Sequence, residues 1–192
     1  MEENILERIL RERDEHFKMY SSVFRQGDRV LDIGIGPGYT AALIKDKVPD
    51  VRIEGLDVFD IRKVNIVPIT LYTGTKMPWE DNTFDVSVIF YTIHHIRWPV
   101  VTLREASRIT KRNVVVLEEY RTTETDLAVD YKQEDAVHRV LGIPGHIHNG
   151  YLSMKEFDEM AGACGLRTIE KIKLNSFSPR KVEKYLYIFE KI

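Results

Sequence analysis

Two acids and three glycines in the first third of the chain have the types and spacing to hold a ligand: Asp32, Gly34, Gly36 and Gly38 in VLDIGIGPGYT (residues 30–40), and Asp57 in EGLDV. A glycine turn between an apolar run and a helix-like segment lets backbone approach a ligand closely and aims helix N–H groups at it. The glycines follow G-x-G-x-G, not the G-x-G-x-x-G that makes room for a dinucleotide's pyrophosphate. An acid two residues ahead of the first glycine suits a ligand carrying positive charge rather than a diphosphate. Asp57 closes the next apolar run, where a carboxylate can accept hydrogen bonds from both vicinal hydroxyls of a ribose.

A ribose joined to a cationic, amino-acid-like group describes S-adenosylmethionine. The plain alternative is that both acids end strands and open turns, with no ligand involved. Other chemistry-bearing residues lie further on. His94-His95 and the pair His146 and His148 are candidate general bases, needed only if an acceptor must lose a proton; His94-His95 can equally be structural. His146-Ile147-His148 has a metal-compatible spacing but no evident third ligand, so no metal is expected. Glu118, Glu119 and Tyr120 end an apolar run and either border an acceptor pocket or form a solvated loop entrance.

Elements that could position these groups read clearly. Residues 1–24 form a helix whose apolar stripe, Ile5, Ile9, Phe17, Tyr20 and Phe24, is broken by Arg13. RVLDIGI, RIEGLDV, PITLY, FDVSVIFYTI, NVVVLEE, RTIEKIKL and KYLYIFEKI read as strands, the last two as antiparallel neighbours. GYTAALIKDKV and Pro99–Ile109 read as helices, the latter with proline in its first turn. VFDIRKVNIV, between the second and third strands, is too short and irregular for a full crossover helix. Leu127, Tyr131, Val137 and Leu141 mark another helix, stopped by Gly142 and Pro144. Ser153 and Glu156 form a capping box before the next, with Leu152 and Phe157 as its staple. Residues 120–150 break the strand–helix rhythm and are read as a lid. The expectation is one α/β domain, residues 1–192: three layers, doubly wound, with a mostly parallel seven-stranded sheet and an antiparallel C-terminal strand.

Composition narrows the class. A 192-residue chain, 43% hydrophobic and 30% charged, has the make-up of an ordinary globule. Net charge −2 argues against a nucleic-acid partner. The single cysteine, Cys164, allows no internal disulfide and no thiolate zinc site. No apolar run reaches membrane-spanning length and the opening residues are too charged for a signal peptide, so a cytoplasmic location is expected. Oligomeric state is not encoded in any of these features.

Taken together, VLDIGIGPG, EGLDV and YTGTKMPWEDNTFDVSVIFYTIHHI, followed by LREASRITKRNVVVLEE, resemble the successive motifs of the class I S-adenosylmethionine-dependent methyltransferases of small-molecule type. The resemblance covers nearly the whole chain. It implies that Asp32, Gly34, Ile35, Gly36 and Gly38 hold the methionine end of the cofactor and Asp57 the ribose. It further implies that Val58 packs on the adenine, that Thr73 and Gly74 meet its edge, and that Tyr91 offers backbone to the amino group and faces the acceptor. Thr73 stands where the family usually carries Asp, a stronger acceptor for the adenine amine. Lys111-Arg112-Asn113 replaces the usual Lys-Pro-Gly-Gly turn, and the short link after Asp57 removes part of a wall near the adenine.

The implied activity is methyl transfer to a small-molecule acceptor. FYTIHH lacks the Asn/Asp-Pro-Pro-aromatic motif of nucleic-acid amino-methylation. One cysteine is too few for arsenite methylation, and no acid cluster of a catechol-type metal mechanism is recognisable. A lipid-quinone C-methyltransferase is the best-known relative, though this chain is shorter and its lid differs. A non-catalytic module that binds the same cofactor remains open. A nicotinamide-dependent oxidoreductase is opposed by the glycine spacing.

Overall fold

The protein is described from a computed structural model covering residues 5–73, 75–122, 127–143, 150–175 and 182–192, with backbone alone for 127–133. Seven strands form one sheet: β1 (Arg29–Ile33), β2 (Arg52–Asp57), β3 (Ile69–Leu71), β4 (Phe84–Phe90), β5 (Thr110–Tyr120), β6 (Leu166–Leu174) and β7 (Glu183–Lys191), in the order β3-β2-β1-β4-β5-β7-β6. The first five run parallel, and β7 is antiparallel to both β5 and β6. Central strands β1, β4 and β5 are nearly continuous runs of Val, Ile, Leu and Phe because helices cover both of their faces.

Side-chain alternation sorts the core into two layers. Val30, Val88 and Val115 face α1 (Ile5–Tyr20) and α2 (Tyr39–Lys47), meeting Phe17, Tyr20, Ala41 and Ile44. Leu31, Ile33, Ile89 and Val116 face the other way, against Leu103 and Ile109 of α3 (Pro99–Ile109) and Phe157 of α5 (Met154–Ala163). The capping box at Ser153 is made as expected: its side chain accepts from the Glu156 amide, and Glu156 reaches back to the Ser153 amide. Helix α4 (Leu127–Leu141) ends at Gly142, whose φ is +71°. No helix among the described residues is long and apolar enough to cross a membrane.

Several expectations need adjustment. The first helix stops at Tyr20, followed by one 3-10 turn, Ser21–Val23, and residues 1–4 lie outside the described set. PITLY contributes only three residues to the sheet, because β3 is an edge strand paired on one side. β5 runs longer than NVVVLEE at both ends, pairing with β4 from Thr110 and with β7 as far as Tyr120. The link from β2 to β3 contains no helix, as its short length required. It folds back over the glycine turn instead, where the Lys63 and Val64 amides donate to the Pro37 carbonyl at 2.9 and 3.1 Å.

That return fixes Gly38, the residue capping the start of α2. Its φ is +86°, and a Cβ there would lie 2.7 Å from the Val64 carbonyl oxygen. Gly38→Ala is therefore expected to cost about 1–3 kcal/mol, through the left-handed backbone and the contact with Val64. Urea denaturation reads this as a lower midpoint at unchanged slope. An unchanged midpoint would show that the link does not press on the turn.

Candidate functional site

The strand order reverses between β1 and β4, and a crevice opens there at the carboxyl ends of the strands. The glycine turn follows β1 into it. The Gly34 and Ile35 amides donate to the Leu56 carbonyl at 2.7 and 3.2 Å, fastening the turn to β2. Gly34, at φ +76°, sits so close to Thr92 that a Cβ would fall 2.4 Å from its side chain. Only glycine allows β1 and the segment after β4 to approach in this way.

The two acids differ in their partners. Asp57 accepts from the Gly36 amide at 2.8 Å through Oδ2 and from the Val58 amide at 2.7 Å through Oδ1. Burial raises its pKa, while these amides lower it. Asp32 is buried, and its Oδ2 has no hydrogen-bond partner among the described residues. Burial pushes its carboxyl up to about 7, against Arg13, which lowers it, and with Asp57 adding to the rise.

Both acids line a cavity of about 560 Å³, together with Gly34, Ile35, Gly36, Val58 and Tyr91. Gly38 stands just behind, at the start of α2. Thr73 is exposed and is not among the residues lining the cavity, and Gly74 lies outside the described residues. Tyr91 holds an unusual backbone for a side-chain-bearing residue, φ +52°, with its amide donating to the Leu117 carbonyl at 2.8 Å. Such a conformation persists only where its surroundings enforce it.

Several lining residues escaped the sequence reading. Ile5, Ile9, Arg13 and His16 of α1 form one wall, while Tyr20 of the same helix is buried against Phe17 and Phe90. Arg13 donates to Thr40 Oγ1 at 3.2 Å, and its guanidinium lies 5.8 Å from the Tyr39 ring centre. The break that Arg13 makes in the apolar stripe was its one visible signal. Lys184 of β7 is buried beside Glu12 (3.7 Å) and Glu119 (3.8 Å), with its ammonium 5.2 Å from the Tyr91 ring centre. Among Glu118, Glu119 and Tyr120, only Glu119 lines the cavity. Tyr120 points into the core, against Phe157 and Tyr187.

Helix α4 supplies the opposite wall, including Glu134, Val137, His138 and Leu141. Here a buried polar chain closes the site. His94 Nδ1 lies 2.5 Å from Glu118 Oε1, and its Nε2 lies 2.8 Å from Glu134 Oε1. Glu118 Oε2 also accepts from the amides of Thr92 and Ile93 at 3.1 and 2.7 Å, so β5 holds the turn that carries the histidines. Glu134 Oε2 accepts from the Tyr151 hydroxyl at 2.7 Å. Burial alone would lower the His94 pKa, but the two carboxylates outweigh it and raise it to about 10. His146 and His148 lie outside the described residues.

Known proteins share this architecture. Residues 1–171 match the family model described as a methyltransferase domain. An uncharacterised methyltransferase of Schizosaccharomyces pombe is 28% identical over 104 residues, 45% of this chain and 37% of that protein. A ubiquinone/menaquinone biosynthesis C-methyltransferase of Neisseria gonorrhoeae is 26% identical over 108 residues, 50% of this chain and 44% of that protein. The matches thus span less than half of these relatives' own length. The fold is also that of a geranyl diphosphate methyltransferase solved in complex with S-adenosylmethionine, with a TM-score of 0.70, 12% identity, and coverage of 95% of this chain and 85% of that one.

The Asp32 carboxyl makes a prediction about the ligand-free protein. Its folded-state pKa of about 7 lies above the ordinary 3.8, so the native state keeps a proton that the unfolded state has lost. Stability therefore falls as pH rises from about 4 to about 7, and is not regained above that range. Asp32→Asn removes this loss. Its Tm should exceed that of the parent at pH 7.5, by a stability on the order of 1–4 kcal/mol, with the difference vanishing toward pH 4. Equal Tm values across that range would refute the assigned shift.

Proposed function

The chain belongs to the methyltransferase domain family, and we propose that it transfers a methyl group from S-adenosylmethionine to a small-molecule acceptor. The observation that carries this reading is the buried Asp32 oxygen without a hydrogen-bond partner among the described residues, in a residue that lines a cavity beside the glycine turn. A buried carboxylate oxygen left unpaired is costly, and a ligand ammonium group would satisfy it. When bound, the cofactor supplies an electrophilic methyl group on a sulfonium that is itself a good leaving group.

The chain's own part is to hold, align and exclude water. Gly34, Ile35, Gly36 and Gly38 form the turn that seats the methionine end. Asp57 keeps acceptor capacity beyond the Gly36 and Val58 amides, since each carboxylate oxygen has two lone pairs for the ribose hydroxyls. Val58, on the cavity wall, offers an apolar surface to the adenine. Thr73 is proposed at the adenine edge, with Gly74, on the family pattern alone; its exposed position adds nothing in favour. Tyr91 and Lys184 face the space left for the acceptor. A cavity of about 560 Å³ between α1 and α4 is of the size that holds a small ligand. We read residues 1–192 as one domain with 120–150 as its lid. We place it in the cytosol, on composition and on Cys164, which is a free thiol.

Titration calorimetry tests the reading directly. S-adenosylhomocysteine should bind one per chain, and NAD should fail to displace it. Asp57→Ala should weaken that binding by about 1.5–3 kcal/mol, roughly 10- to 150-fold, with the circular dichroism spectrum unchanged. Displacement by NAD, or an unaltered dissociation constant in the variant, would overturn the assignment.

The lid is tested by hydrogen exchange. Amides of α4 should exchange faster than those of β1 and β4 in the ligand-free protein, and slow when S-adenosylhomocysteine is added. Protection of α4 equal to the sheet without ligand would mean that it is a fixed wall.

A further inference from the structure

The buried polar chain at the α4 end of the cavity has a second use. One carboxylate oxygen, Glu134 Oε1, stands 2.8 Å from His94 Nε2, 3.3 Å from His95 Nε2 and 3.8 Å from His138 Nε2. The ligand atoms of His94, His95 and Glu134 all lie within 4.8 Å of one another. A tetrahedral ion with metal–nitrogen and metal–oxygen distances of about 2.0–2.2 Å spaces its ligand atoms about 3.3–3.5 Å apart. The His95–Glu134 separation meets that value, and the His94–Glu134 separation falls about 0.6 Å short of it; an ion entering there would displace the proton that His94 Nε2 shares with Glu134. Two imidazoles and one carboxylate, with a third imidazole beside them, is a borderline donor set that suits divalent zinc-type ions rather than calcium or magnesium.

The surroundings are also those of a metal site. The distal nitrogen of His94, Nδ1, is held by Glu118, which fixes the ring so that Nε2 points at Glu134. A carboxylate behind a ligating histidine in this way sets its tautomer and orientation. Tyr151 holds the second oxygen of Glu134 and leaves Oε1 turned to the imidazoles. Glu118 is itself anchored by backbone amides of the turn bearing both histidines. The ligands come from two places, the turn after β4 and the helix α4, so an ion would tie the helix to the sheet.

We propose that His94, His95 and Glu134 bind a divalent transition-metal ion of the zinc type, with His138 beside them, at the α4 end of the cavity. All four residues line the same cavity as Asp32. On the methyl-transfer reading, the ion stands on the acceptor side, where it can hold an acceptor hydroxyl or carboxylate oxygen and ease its loss of a proton. The metal site itself does not depend on that reading.

The test uses the full chain, stripped with a chelator and titrated with Zn²⁺ against a chromogenic competitor, with S-adenosylhomocysteine binding measured on the same samples. One Zn²⁺ per chain is expected. Affinity should fall at least about 100-fold in both His95→Ala and Glu134→Gln, while S-adenosylhomocysteine still binds. Co²⁺ added to the parent protein should give the intense visible bands of a low-coordinate ion with nitrogen and oxygen donors, a readout that needs no variant to fold. Zn²⁺ binding absent from the parent, or equally strong in both variants, or a pale six-coordinate Co²⁺ spectrum, would overturn the proposal. Loss of S-adenosylhomocysteine binding with intact Zn²⁺ binding would instead count against the methyl-transfer reading alone.

Discussion

Close backbone approach around the glycine turn is the constraint on which the rest of the site depends. Gly34 leaves no room for a Cβ beside Thr92, and Gly38 leaves none beside the Val64 carbonyl. The turn is thereby clamped between the segment after β4 and the link after β2. The Gly36 amide completes the clamp by donating to Asp57. Three separate strand ends are brought within reach of one ligand by this packing, and the positive φ of Tyr91 marks where β4 bends to meet it.

Above that frame the cavity gathers buried charge, which a fold optimised for stability alone would avoid. Asp32 carries an oxygen without a partner among the described residues, and Lys184 is buried between Glu12 and Glu119. His94 lies between two carboxylates, Glu118 and Glu134, from strand and helix. The two sets differ in kind. The His94 chain satisfies its members and ties α4 to the sheet, whereas Asp32 keeps an unmet demand for a donor. Unmet demand in a cavity points toward a ligand, and the His94 set joins α4 to the sheet while supplying the atoms proposed to hold an ion.

The absence of a helix between β2 and β3 shapes the same region. The shorter link bonds to Pro37 instead, and leaves Val58 and Phe59 half exposed on the cavity wall. Side chains of α1 and α4 line the cavity as well.

Local signals in the sequence determined most of the architecture. The apolar runs of β1, β4 and β5, the proline opening α3, the capping box of α5 and the glycine spacing each report on neighbours within a few residues, and each appears where expected. The strand–helix order and the acids ending β1 and β2 were legible for the same reason. Tertiary structure alone decided which distant groups meet. Arg13 reaches Thr40 across 27 residues, His94 reaches Glu134 across 40, and Lys184 arrives from the far end of the chain. No periodicity encodes such meetings. They follow from how helices α1 and α4 lie across the strand ends, and a polar residue on either helix reads as solvent-facing until that placement is known.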